Sequence, residues 1–129
     1  QDQLELGNLE IRRDWGYAGD FAQAIKMILE TKVPDDFIVA TGQIHSVAEL
    51  VSFAFHHVGI LDWEKYVVSS PSYFRPIEHP PTRGDSSKIR RELGWSPTKT
   101  IREVMSEMVE FDLGLLRDES SNREWTPND

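Results

Sequence analysis

The sequence predicts an α/β fold, because two short apolar runs alternate with two segments of helical periodicity in the first half of its 129 residues. Loops and two further amphipathic helices are expected in the second half. Hydrophobic residues make up 39% of the chain and charged residues 28%, which is typical of a soluble globular protein rather than a disordered one. At this length we expect one domain, or a part of one.

The first half of the chain supplies a strand, a helix and a second strand. The opening residues QDQLELGN are typical of a short strand that runs into a turn. Apolar side chains then recur at helical spacing and predict a helix over Ala18–Thr31, which should end before Pro34 because proline disfavours a helical residue in front of it. The run FIVATG is apolar, rich in β-branched residues and closed by glycine, so it predicts a buried strand over Phe37–Ala40.

Two capping boxes predict the starts of two longer helices. In each box a Ser or Thr is followed three residues later by a Glu: Ser46 with Glu49, and Thr100 with Glu103. The first box predicts a helix over Ser46–Val58, with Gly59 placed to end it. The second predicts a helix over Ile101–Leu116, whose apolar residues share one face.

The segment between these two helices is expected to be mostly irregular. Asp62–Ser70 is typical of a loop followed by a short strand, and Pro71–Asp85 contains four prolines, so it should be extended. Asp85 is placed to cap a short helix over Ser86–Leu93, and Gly94 is placed to stop it.

Composition narrows the possible functions. The chain has 14 Lys and Arg against 22 Asp and Glu, a net charge of −8, which argues against a nucleic-acid-binding surface but leaves a small anionic ligand possible. Cysteine is absent, and the four histidines lack zinc-site spacing, so we expect no metal site. No apolar run approaches the ~20 residues that cross a bilayer, so a cytoplasmic location without membrane attachment is expected.

The nucleotide-binding and catalytic motifs of large α/β enzymes are absent from this sequence. It contains no G-x-G-x-x-G turn, no Walker loop and no Tyr-x-x-x-Lys pair. We therefore assign no catalytic residue and expect no dinucleotide cofactor to be bound by this chain alone.

The stretch LGNLEIRRDWGYAGD concentrates cationic, glycine and aromatic residues in an otherwise acidic chain. The guanidinium groups of Arg12 and Arg13 match phosphate oxygens, with Asp14 placed to orient one of them and Trp15 packed beneath the loop. A second arginine, Arg75, lies in the later proline-rich loop, and a diphosphate needs charge from more than one side. The alternative is an ordinary surface Arg–Asp pair at a turn leading into a helix, which contributes ~0–1 kcal/mol.

Several long segments resemble one family. LGNLEIRRDWGYAGDFAQAIKMIL, PDDFIVATGQIHSVAELV, YFRPIE and GDSSKIRRELGWSPTKTIREVMSEMVEFDL follow one another as in the C-terminal part of GDP-mannose 4,6-dehydratases, which are extended short-chain dehydrogenase/reductases. The resemblance covers roughly Leu4 to Leu113. It implies a Rossmann-type NADP-binding portion, a smaller GDP-sugar-binding portion, and assembly into dimers or tetramers.

The resemblance also implies an activity and a set of binding residues. Enzymes of the family oxidise GDP-mannose at C4, eliminate water across C5 and C6, and return the hydride to C6, giving GDP-4-keto-6-deoxymannose. The residues that fall on family substrate-binding positions are Gly7, Asn8, Leu9, Arg13, Arg75 and Glu78. Arg13 and Arg75 would contact the diphosphate, Gly7 to Leu9 would lie near the nucleotide, and Glu78 would lie near the ribose. We expect Arg12 to be solvated.

Departures from the family limit what this chain is expected to do alone. The family's catalytic Thr, Glu, Tyr and Lys and its NADP contacts belong to sequence before Gln1, and EHPPTRGD replaces a more apolar run. We therefore expect residues 1–42 to be late Rossmann-associated elements with the arginine loop, 43–117 the GDP-sugar-binding portion, and 118–129 a flexible tail. Apolar faces left uncovered should associate with the missing Rossmann portion or with further copies.

Two other functions remain compatible with the sequence. One is a non-catalytic nucleotide-sugar-binding or oligomerisation module. The other is part of a sister enzyme, a GDP-keto-sugar reductase or a dTDP-sugar dehydratase.

Overall fold

The structure, a computed structural model, describes residues 3–75 and 80–123. Within this part the helices are α1 (Ala18–Leu29), α2 (Val47–His57), α3 (Ser87–Leu93) and α4 (Ile101–Arg123). The strands are β1 (Leu4–Leu6), β2 (Arg12–Arg13), β3 (His45–Ser46) and β4 (Val67–Ser69), with 3₁₀ turns at Trp63–Lys65 and Pro71–Tyr73. None of these helices is long and apolar enough to cross a bilayer.

The strands form two small sheets that join distant parts of the chain. β1 pairs in parallel with β4, so that Leu4 lies opposite Val67 and Leu6 opposite Ser69. β2 pairs antiparallel with β3, with Arg12 opposite Ser46. Both sheets therefore tie the N-terminal segment to the part of the chain that follows α1.

The predicted helix boundaries are confirmed to within a few residues, except at the end of α4. Both capping boxes form: the Ser46 hydroxyl accepts from Glu49 N–H at 3.1 Å, and Thr100 N–H donates to the Glu103 carboxylate at 2.7 Å. Gly94 ends α3 with a φ of 72°, a left-handed conformation that favours glycine.

The buried core joins α1 to α3 and to the segment that follows it. Its centre is formed by Ala24, Ile89 and Trp95, which are 0%, 0% and 3% exposed. The Trp95 indole N–H donates to the Asp20 carbonyl at 2.8 Å, which fastens this segment to the first turn of α1. α2 packs against α4 beside this core.

The prediction of a strand over Phe37–Ala40 is wrong. Within the described residues this segment lies outside any helix and pairs with no strand. Its side chains still alternate, because Phe37 and Val39 pack against the core while Ile38 is 58% exposed. An apolar run forms a strand only beside a partner strand, and the described part offers none here.

Helix α4 is longer than its predicted Ile101–Leu116. It continues to Arg123, because no glycine or proline after Leu116 interrupts it and its polar residues tolerate helical geometry.

Candidate functional site

The turn Gly7–Leu9, which follows β1, is held by one local hydrogen bond and by two hydrogen bonds to distant residues. The Asn8 side-chain oxygen accepts from Glu10 N–H at 2.9 Å, which closes the turn locally. The Ser69 hydroxyl donates to the Gly7 carbonyl at 3.0 Å, and Ala48 N–H donates to the Leu9 carbonyl at 2.9 Å. The turn is thus fixed between β4 and the first residues of α2.

The same turn lies directly against the loop that carries Arg75. A Cβ atom added at Gly7 would stand 2.9 Å from the Tyr73 carbonyl oxygen, a distance that real Cβ atoms do not adopt. Ser70 N–H also donates to the Leu6 carbonyl at 2.7 Å. Arg75 follows Tyr73 by two residues and is exposed. The structure therefore brings two of the sequence-predicted groups together, the Gly7–Leu9 turn and the loop of Arg75.

The two adjacent arginines lie on the short strand β2, where consecutive side chains point to opposite faces. The Arg12 side chain is 44% exposed, and its guanidinium lies 3.9 Å from the Glu49 carboxylate. Arg13 is half-buried on the other face. Glu78, the remaining predicted binding residue, lies outside the described residues.

Asp14 has a different role from the one that the sequence suggested. Rather than orienting an arginine, its carboxylate accepts from the Thr41 N–H at 3.0 Å, the Thr41 hydroxyl at 2.5 Å and the Gly42 N–H at 2.9 Å. The adjacent Trp15 donates its indole N–H to the His45 carbonyl at 3.2 Å. Asp14 and Trp15 therefore anchor the arginine strand to the segment between α1 and α2.

Glu49 connects the arginine strand to the start of α2. The pKa of Glu49 is lowered chiefly by the hydrogen bond from the Ser46 N–H at 2.7 Å, which outweighs the opposing effect of burial. His45 lies nearby, with its buried Nδ1 3.5 Å from Glu49 Oε1, and this proximity also helps to lower the Glu49 pKa. The arrangement keeps Glu49 ionised beside Arg12.

Chemically, the described groups of this region are donors of hydrogen bonds to anions. Guanidinium groups and a tight backbone turn suit phosphate oxygens. Within residues 3–75 and 80–123 no group of three or more His, Cys, Asp or Glu could hold a metal ion.

The fold places the chain in a structural class. It matches Thermotoga maritima UDP-glucose 4-epimerase, solved with UDP-glucose, with a TM-score of 0.73 at 23% identity over 88% of this chain and 36% of the epimerase. It also matches Bacillus anthracis dTDP-glucose 4,6-dehydratase, solved with NAD, with a TM-score of 0.73 at 18% identity over 88% of this chain and 35% of the dehydratase. The predicted α/β fold class is confirmed: the chain has the fold of about a third of each of these nucleotide-sugar enzymes.

The sequence then defines the family. The GDP-mannose 4,6 dehydratase family profile matches residues 1–108, and the chain belongs to that family. GDP-mannose 4,6 dehydratase 2 of Arabidopsis thaliana is 41% identical over 119 residues, which are 92% of this chain and 32% of the plant protein. The chain thus spans about a third of the length of the curated relatives it matches.

Sequence reasoning missed two groups that the structure places near the arginine strand. One is the Thr41–Gly42 turn that Asp14 binds, and the other is a pair of arginines, Arg83 and Arg90, on the far side of that turn. The glycine that closes FIVATG was a usable signal for the first, because Gly42 has a φ of 82° and therefore marks a turn.

Proposed function

We propose that this chain supplies the GDP-sugar-binding surface of a GDP-mannose 4,6-dehydratase, a lyase that converts GDP-mannose to GDP-4-keto-6-deoxymannose. The observation that carries the proposal is the contact of Gly7 with Tyr73. That contact unites the Gly7–Leu9 turn with the loop of Arg75, the two segments to which the resemblance to the family assigns nucleotide-sugar binding.

The proposed roles follow from the chemistry of each group. Arg13 and Arg75 would donate to diphosphate oxygens, because a guanidinium offers a planar fork of donors to a doubly charged ligand. The Gly7–Leu9 turn would lie along the nucleotide, where the absence of a side chain at Gly7 permits close approach. Glu78 would accept from ribose hydroxyls, since a carboxylate is an acceptor for sugar O–H groups.

The hydride chemistry needs NADP, which we propose is held by the whole family protein and not by this chain. No strand in the chain leads into a glycine-rich phosphate-binding turn. The residues present therefore do not fit a dinucleotide, and we assign this chain binding rather than catalysis. A cytoplasmic location and a homo-oligomeric state belong to the same proposal.

The proposal predicts that three neighbouring arginines differ in their effect on GDP-mannose affinity. In the longest encoded form of the protein, Arg13→Ala or Arg75→Ala should weaken binding about ten- to a hundredfold, since a charge-assisted hydrogen bond contributes ~1.5–3 kcal/mol. Arg12→Ala is the matched control, because Arg12 is exposed beside Glu49, and it should change affinity less than about twofold. Isothermal titration calorimetry with GDP-mannose measures all three.

Two outcomes would contradict this assignment. If Arg12→Ala weakens binding as much as Arg13→Ala, the roles of the adjacent arginines are wrong. If neither Arg13→Ala nor Arg75→Ala changes affinity, the arginine loops are ordinary surface features.

A further inference from the structure

A cavity with a volume of about 340 Å³ lies beside Gly42, in the turn that Asp14 binds. It is lined by Gly42, by residues 83–87 and by Arg90. None of these residues belongs to the proposed GDP-sugar-binding set. The cavity is open to solvent, and two of its side chains are guanidinium groups.

Arg90 is held in place by the protein. Its Nε–H donates to the Ser86 hydroxyl at 3.0 Å, and an Nη2–H donates to the Thr41 carbonyl at 3.1 Å. Ser86 is 4% exposed, so the first of these two bonds is partly buried. The remaining guanidinium N–H groups make no hydrogen bond to any residue that the structure describes. The orientation of these free donors is therefore fixed before any ligand arrives, which lowers the entropy cost of binding.

The wall of the cavity is fixed by backbone packing. A Cβ atom added at Gly84 would lie 2.2 Å from the Cβ of Ala40, so only glycine allows residues 83–85 to approach residues 40–42. Gly42 adopts a φ of 82° in the facing turn. Two chain segments with little freedom to move thus bring Arg83 to the same cavity as Arg90.

The charge balance of the cavity is positive. Arg83 is exposed and makes no hydrogen bond within the described residues, while Asp85 is the one carboxylate in the lining. The Asp85 carboxylate accepts from Ser87 N–H at 2.9 Å, and this bond lowers its pKa, so Asp85 is ionised at neutral pH. Two guanidinium groups against one carboxylate leave a local positive charge in a chain whose net charge is −8.

We propose that this cavity is a phosphate-binding site, distinct from the arginines proposed for the GDP-sugar diphosphate. An oxyanion in the cavity would accept from the fixed Arg90 donors and from the exposed Arg83 guanidinium. Free phosphate and the phosphate group of a nucleotide present the same oxygens to these donors, so both fit the site.

The test is a titration of the ¹⁵N-labelled chain with inorganic phosphate, followed by amide chemical shifts. We expect saturable shifts at Gly42, Gly84 and Ser87. Arg83→Gln should weaken the binding about tenfold, because one charge-assisted contact is lost. Arg91→Gln is the matched control: Arg91 is exposed, pairs with Glu92 at 2.9 Å and lies outside the lining, so it should leave the affinity unchanged within about twofold.

A second arm with GDP separates this site from the proposed function. If GDP shifts the Gly42 and Gly84 amide signals and competes with phosphate for the site, the ligand is a nucleotide phosphate. If inorganic phosphate shifts these signals and GDP does not, the ligand is the free ion. Chemical-shift changes at Gly7 and Asn8 report on the proposed GDP-sugar site instead. The two proposals can therefore be confirmed or contradicted independently of each other. An absence of saturable shifts at Gly42 and Gly84 with millimolar phosphate, or equal losses in Arg83→Gln and Arg91→Gln, would overturn the inference.

Discussion

At the scale of single residues, Asp20 is the carboxylate that is buried among those the structure describes. It is 5% exposed, and its two oxygens accept from the Thr98 N–H at 2.8 Å and the Thr98 hydroxyl at 2.6 Å. Burial alone would raise its pKa, but the hydrogen bonds from Thr98, together with Lys99, outweigh burial and leave the pKa below the ordinary value of 3.8. The ionised carboxylate thus joins α1 to the segment before α4.

Asp20→Asn should lower the free energy of unfolding by about 1–3 kcal/mol at pH 7, because the charge-assisted bonds to Thr98 are lost. Since the folded-state pKa lies below the unfolded one, this stabilisation is present above the ordinary carboxyl pKa and disappears as pH falls through the folded pKa. Urea unfolding should therefore show a smaller difference in the free energy of unfolding between wild type and Asp20→Asn near pH 3 than at pH 7. The exposed Asp36→Ala is the control, and a gap that widens in acid would contradict the assignment.

Residue roles that depend on distant contacts were the hardest to predict. Asp14 sits between Arg13 and Trp15 in sequence, so an Arg–Asp pair was the natural interpretation, yet its partners Thr41 and Gly42 are 27 and 28 residues away. Arg83 gave no signal because nothing in TRGD shows which turn lies opposite it. Sequence patterns carry local geometry, whereas these contacts are set by tertiary packing.

At the scale of elements, the start of α2 is the best-defined helix end near the candidate site. Ser46 is 4% exposed, its hydroxyl caps Glu49 N–H, and its own N–H donates to the Glu49 carboxylate. Val47 N–H and Ala48 N–H donate to the carbonyls of Ile11 and Leu9. The first turn of α2 therefore positions β2 and the Gly7–Leu9 turn as well as itself.

Ser46→Ala should lower the free energy of unfolding by about 1–2 kcal/mol, since it leaves a partly buried N–H without its cap. Ser106→Ala is the matched control, because Ser106 lies inside α4 and only donates back to the Arg102 carbonyl, so its loss should cost less than about 0.5 kcal/mol. Urea denaturation of both variants checks the difference. An equal loss of unfolding free energy in the two variants would show that the Ser46–Glu49 capping box does not stabilise the fold.

Short-range patterns predicted the helices and the short strands β1 and β4, whereas three further segments depend on a partner strand that no pattern shows. The helix starts at α2 and α4 follow from boxes four residues long, and both boxes form. Phe37–Ala40 carried a good strand pattern but has no strand beside it in the described part. β2 and β3 have two residues each, which is too short for a strand pattern in the sequence. They form because their backbones pair with each other.

At the scale of the whole molecule, large apolar side chains are exposed in two parts of the chain. Ile25 and Leu29 on α1 are 59% and 80% exposed, and Val33 and Ile38 are exposed in the segment that follows. On α4 the exposed apolar residues are Met108, Phe111, Leu115 and Leu116. Exposed apolar patches of this kind are typical of surfaces that contact other protein.

The chain by itself should therefore self-associate as its concentration rises. Replacing Ile25 and Leu29 with Lys should shift the chain toward monomer, because both side chains are more than half exposed and charge opposes their burial. Gln23→Lys adds one positive charge, against two in the double variant, at an exposed position on the same helix and should leave the association unchanged. Sedimentation velocity over a range of concentrations measures this, and a wild-type chain that stays monomeric throughout would contradict the prediction.

The parallel pairing of β1 with β4 bears on the order of folding. The Ser69 hydroxyl donates to the Gly7 carbonyl, and these two residues are 62 residues apart in the chain. Closing so long a loop costs chain entropy, which the pairing of a three-residue strand offsets only in part. β1 should therefore dock last and detach first, in local openings that leave the α1–α3 core intact. Each opening separates the Gly7–Leu9 turn from the Arg75 loop. A nucleotide sugar that contacts both the turn and the loop would hold β1 in its paired position. The slowing of hydrogen exchange at the Leu4 amide and the affinity for the ligand would then both depend on the equilibrium between paired and detached β1.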